Sequence, residues 1–154
     1  MAPIILPVPH FQQQNRADCL AACALMGLTY LGQPVAYEHL VKLLNVRPEI
    51  GAPASNICFL VKLGVQVRYQ SGTLDQLRSY LERDLPCIAF VDTGELPYWR
   101  QQTAHAVVVV GVTAQSIYLN DPALPNAPVR VPRGDFDLAW LEHDEQYAVV
   151  MPGK

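Results

Sequence analysis

The run Ala106-Val107-Val108-Val109-Val110-Gly111-Val112 constrains this chain more than any other segment. Four consecutive valines resist an α-helix, because β-branched side chains lose rotamer freedom against the preceding turn. They suit a strand, and the lack of polar alternation marks it as a central, covered one. Shorter runs around it read as further strands: Cys87–Val91, Ile117–Asn120 after a short turn, Val129–Val131 and Tyr147–Met151. Phe136–Leu141 reads as a helical turn between the last two.

The first half has a different character. Asp18 is placed to cap a helix over Cys19–Leu31, rich in Ala, Leu and Met and ended by Gly32-Gln33-Pro34. A second helix is expected over Ala36–Leu44 and a third over Pro53–Leu63, stopped at Gly64. Val65–Tyr69 alternates as a short strand, and Thr73 caps a fourth helix, Leu74–Arg83. Met1–Pro9 reads as a strand-like arm. Helices first and a mostly antiparallel sheet second is an α+β arrangement.

Length and composition narrow the function. The 154 residues suit about one domain, and 51% hydrophobic with 16% charged residues supports a packed core. A net charge of −3 without a basic run argues against a nucleic-acid partner. The longest apolar stretch, Ala106–Val112, falls far short of the roughly 20 residues of a membrane span. Met1–Pro9 has three prolines and no Lys or Arg, unlike a secretory signal, so a cytoplasmic location is expected. Without export, Cys23, Cys58 and Cys87, each in an apolar run, are expected as buried free thiols rather than disulfides. Only Cys19 and Cys23 lie close together, and no second Cys/His pair shows the usual finger spacing, so a zinc site is not expected. No residue pattern calls for a cofactor.

Cys19 stands apart because it begins a helix. Unpaired N–H groups and the helix dipole there favour a thiolate, the reactive form. Six residues earlier Gln13 offers a side-chain amide that, with the Cys19 backbone N–H, can donate to an oxyanion. Gln12 and Gln14 flank it and remain alternatives. His105 opens the valine strand, and Asp121 follows the next strand, sixteen positions later. Their midpoint, residue 113, falls in the turn Thr113-Ala114-Gln115. A hairpin therefore makes them direct or diagonal cross-strand neighbours, within reach of a hydrogen bond that would orient the imidazole. Asn120 is the other candidate for that task, but its side chain should point to the opposite face. His10, His39 and His143 have no acid so placed. Leu96-Pro97-Tyr98-Trp99-Arg100 reads equally as a loop bordering the cleft or as a solvent loop with one buried Trp.

Gln13, Asp18-Cys19 with its Ala-rich helix, His105-Ala-Val-Val-Val, Leu119-Asn120-Asp121-Pro122, then Phe136, Trp140 and Tyr147-Ala148-Val149-Val150 together resemble the bacteriocin-processing, double-glycine leader peptidases. These belong to the papain-like cysteine peptidase superfamily, and the resemblance covers nearly the whole chain. It implies a single papain-like domain over residues 1–154, its N-terminal helices packed on a C-terminal sheet. It also implies Cys19 as nucleophile, His105 as general base then acid, Asp121 as orienting group and Gln13 in the oxyanion hole. The substrate implied is a peptide or protein cut after small residues such as Gly-Gly. The family usually has Gly after the nucleophile, where this chain has Leu20, a bulky side chain expected to narrow the cleft or change which substrate residue fits. The best-known relatives are domains of ABC exporters, whereas this sequence carries neither spans nor a phosphate loop and is expected to be a stand-alone domain or a fragment. An acyl- or peptidyltransferase using the same triad, and a non-catalytic module holding a peptide in the old cleft, are the competing functions.

Overall fold

The computed structural model describes residues 2–154. Its elements follow the order β1 (Ile4–Ile5), α1 (Cys19–Tyr30), α2 (Tyr37–Leu43), a 3₁₀ helix (Ala54–Leu63), β2 (Gln66–Ser71), α3 (Leu74–Glu82), β3 (Cys87–Asp92), a 3₁₀ turn (Thr93–Glu95), β4 (Ala104–Val112), β5 (Ser116–Asn120), β6 (Val129–Pro132), α4 (Arg133–Leu141) and β7 (Gln146–Met151). The strands form a seven-stranded sheet in the order β2-β7-β3-β4-β5-β6, with β1 on β4. Every described pairing is antiparallel. The mixed α+β class expected from the sequence is the one observed.

The valine strand is central, and all of it from His105 to Val112 is buried. Its alternation divides the core. Ala106, Val108 and Val110 join Leu20, Cys23, Met26 and Leu28 of α1, with Leu40, Ile57 and Leu60. Val107 and Val109 join Leu77 and Leu81 of α3 and Phe136 and Trp140 of α4. The same parity sorts Ile88 and Phe90 from Cys87, Ala89 and Val91 on β3. The sheet is thus sandwiched between α1, α2 and the 3₁₀ helix on one face and α3 and α4 on the other.

Three local expectations change. Pro53–Leu63 is not an α-helix but a 3₁₀ helix from Ala54. Ala54, Ile57, Leu60 and Leu63 recur every third residue, and Ile57 and Leu60 are fully buried. Three residues per turn brings that stripe onto one line, which 3.6 would not. It ends at Gly64, whose φ of 86° is the left-handed conformation glycine adopts without strain. Cys58 falls off the stripe and is only half-buried, unlike Cys23 and Cys87. Phe136–Leu141 extends back to Arg133 as a full helix. By contrast Thr73 caps α3 as expected, in a reciprocal capping box with Gln76.

The N-terminal arm runs in line with β3 along β4, pairing Ile4 with Val112 and Ile5 with Gly111. A β-carbon at Gly111 would sit 2.7 Å from the Ile4 carbonyl oxygen, so this approach requires glycine. Met1 lies outside the described residues. Among those residues no helix is long and apolar enough to cross a membrane.

Candidate active site

The β4–β5 hairpin sets the geometry. Thr113 N–H donates to Ser116 O at 2.9 Å across the turn, and Val108 pairs with Asn120. A register shift between Val109 and Gly111 centres the pairing near residue 114. One further step puts Asp121 across from Val107, hence diagonal to His105. The diagonal suffices: His105 Nε2 donates to Asp121 Oδ1 at 2.7 Å. Asn120 is buried on the other face and donates its amide to Val8 O at 3.1 Å, so it cannot orient the imidazole.

Asp121 is fully buried and fully satisfied. Oδ1 accepts from His105 and from Ala123 N–H at 2.9 Å; Oδ2 accepts from Tyr98 O–H at 2.6 Å and Trp99 Nε1–H at 2.8 Å. Burial alone would raise its pKa, but the His105 hydrogen bond and charge, with Tyr98 and Trp99, hold it below the usual value. The Trp99 ring also meets His105 edge-on, centroids 5.0 Å apart. So the 96–100 loop borders the cleft and braces the acid. Sequence reasoning left that open; the available signal was a pair of donor-bearing aromatics shortly before His105, at the same end of the sheet.

With Nε2 committed to Asp121, Nδ1 is left for Cys19, the imidazole's other hydrogen-bonding and charge partner. Burial lowers the His105 pKa, but Asp121 and Cys19 outweigh it and raise it from 6.5 to about 9. Both partners thus favour the protonated ring. Cys19 begins α1 and is partly exposed in a cleft of about 1440 Å³ that His105, Trp99, Gln13 and Ile50 also line. Cys23, one turn on, is fully buried, and burial drives its pKa up, so it stays a thiol.

Asp18 does not cap α1 as expected. Its φ of −97° and ψ of 13° are not the extended values an N-cap needs, and it makes no side-chain cap bond. Tyr37 O–H at 2.8 Å and Asn15 Nδ2–H at 3.2 Å draw its Oδ2 away. The first-turn N–H groups beside Cys19 therefore lack a side-chain acceptor.

Gln13 lies in the same cleft, but its Nε2 donates to Asn15 O at 2.9 Å and Arg16 O at 3.1 Å, and its Oε1 is buried without a partner. Two carbonyls dictate that orientation, since the reverse would set oxygen against oxygen. Gln12 instead turns its amide to Ala123 O, while Gln14 N–H donates to the Tyr37 hydroxyl oxygen. Leu20 is 3% exposed and packs into the core under α1, so little of its bulk enters the cleft. His39 is exposed on α2, and His10 Nε2 hydrogen-bonds Leu124 O at 2.6 Å; neither joins the site.

Helices on both faces of a mostly antiparallel sheet make the papain-like peptidase fold. The chain belongs to the peptidase C39 family, which it matches over residues 7–144, and is a cysteine peptidase. Its fold is similar to a C39-like peptidase structure from Bacillus anthracis (TM-score 0.81, 19% identity, 98% of each chain covered). It is also similar to the peptidase domain of Streptococcus ComA, a bifunctional ABC transporter (0.76, 19% identity, 93% of this chain and 97% of that one). A third similar structure is a double-glycine motif protease from an AMS/PCAT transporter in complex with the leader peptide (0.75, 22% identity, 99% of each chain). No curated protein matches the sequence.

Proposed function

We propose that residues 1–154 form one peptidase domain that cleaves a peptide leader after small residues such as Gly-Gly, using Cys19, His105 and Asp121. The observation carrying this reading is the buried His105–Asp121 pair at 2.7 Å beside Cys19 at an open cleft. Family membership and a neighbour that holds a leader peptide support the substrate class. The Cys19 thiolate attacks the scissile carbonyl, and His105 gives its proton to the departing amine. Water then attacks the thioester with His105 as base, releasing the acid and restoring the thiol. Asp121 keeps the ring oriented and the imidazolium stable. Gln13 stabilises the oxyanion by exchanging one loop carbonyl for it. Four free cysteines suit a reducing compartment, which supports a cytoplasmic location.

The test is mass spectrometry of peptides carrying a Gly-Gly site, incubated with wild type and Cys19→Ala. Cleavage after Gly-Gly, lost in the variant, is expected. Cleavage that survives in Cys19→Ala would overturn the reading.

A further inference from the structure

The segment between Gln13 and Cys19 is shaped from outside itself, and α2 supplies the central contact. The Tyr37 hydroxyl oxygen accepts from Gln14 N–H at 2.9 Å, and the same hydroxyl donates to Asp18 Oδ2 at 2.8 Å. Asn15 Nδ2 donates to the same carboxylate oxygen at 3.2 Å. Asp18 is 4% exposed and immediately precedes Cys19. Gln13 in turn donates its amide to Asn15 O and Arg16 O inside this segment. One hydroxyl thus ties the backbone beside Gln13 to the residue before the nucleophile. Burial first, then Asp18, raises the Tyr37 pKa, and Cys19 adds to the rise despite the opposing Gln14 N–H, so the hydroxyl stays neutral and can donate.

We infer that Tyr37 is a positioning residue of the oxyanion-binding loop: its hydroxyl holds in place the segment on which the Gln13 amide rests, and so assists acylation rather than thiol activation. This rests on the peptidase reading above. Phenylalanine would keep the ring and leave Gln14 N–H and Asp18 Oδ2 each one partner short. The loop would relax and Gln13 would meet the oxyanion less well.

Two reagents separate the steps. p-Nitrophenyl acetate acetylates a thiolate: sulfur adds to the carbonyl, an oxyanion forms, and its collapse expels p-nitrophenolate. Iodoacetamide forms an S–C bond with loss of iodide and no oxyanion. Both rates are measured in a Cys58→Ala background, because Cys58 is also partly exposed, with Cys19→Ala as the blank. Tyr37→Phe is expected to slow the p-nitrophenolate burst about tenfold, part of what loss of a whole oxyanion donor costs. Its iodoacetamide rate should stay within about twofold, and the burst effect should vanish in a Gln13→Ala background, since both act through one group. Asn15→Ala, at an exposed position, should show the same selective loss and replaces Tyr37→Phe should that variant fold poorly. An undiminished burst, a parallel fall in both rates, or a full effect without Gln13 would each overturn the inference. A wild-type burst no faster than that of Cys19→Ala would instead defeat the peptidase reading, and the role of Tyr37 with it.

Discussion

Replacing Asp121 by Asn changes one atom in a site where every acceptor position is used. The carboxylate takes four hydrogen bonds, from His105, Ala123, Tyr98 and Trp99. An amide offers one oxygen and one NH₂ group. If the oxygen stays on His105 and the Ala123 N–H, the NH₂ faces Tyr98 and Trp99. The tyrosine hydroxyl can turn and accept, but the indole N–H cannot. The other orientation sets the NH₂ against the Ala123 N–H. Either way one buried donor is orphaned, which costs about 1–3 kcal/mol. A second effect depends on pH. The His105 pKa is raised from 6.5 unfolded to about 9 folded. Its contribution, about 3 kcal/mol, is therefore complete below about 6.5 and is lost as pH rises through about 9. Asp121, whose pKa is lowered, contributes above the ordinary carboxylate range and loses that contribution as pH falls. The assay is urea unfolding of both proteins from pH 6 to pH 9. Cys23 and Cys87, with raised pKa values, add their own decline at high pH, equally in both proteins, so the difference is what counts. Wild type should lose its advantage over the variant as pH climbs through that window. A pH-independent difference, or equal stability at pH 6, would refute the assignment of the imidazolium–carboxylate pair.

Three further outcomes are expected. Peptide cleavage should decline above about pH 9 as His105 loses the proton meant for the leaving amine, and in Asp121→Asn the descending limb of a pH–rate profile should move to lower pH. Trp99→Phe removes the indole donor to Asp121 while keeping a ring beside His105; urea unfolding should show a loss of about 1 kcal/mol, and kinetics a lower kcat/KM. Trp140→Ala empties a fully buried site and removes the bond from its indole N–H to Gln146 O at 2.8 Å, so unfolding should show a loss of about 3–5 kcal/mol while Cys19 alkylation by iodoacetamide at native pH keeps its rate.

The valine strand, the Ala-rich helix that starts at Cys19, the Thr73 cap and the hairpin that joins His105 to Asp121 were all legible in the sequence. Each depends on side-chain periodicity or turn chemistry within about twenty residues, where chain connectivity restricts the possible neighbours. Three features were not legible, because their partners come from elsewhere in the fold. Asp18 reads as a cap until α2 brings Tyr37 against it. Tyr98 and Trp99 read equally as a cleft-bordering or a solvent loop until the turn back from β3 lays them on a carboxylate 23 and 22 residues away. Gln13 reads as a free donor until the loop folds its own carbonyls onto the amide. Local sequence determined which groups could do chemistry. Only tertiary structure decided which hydrogen-bond partner each buried polar group found, because a group removed from water takes whatever partner the packing puts within reach.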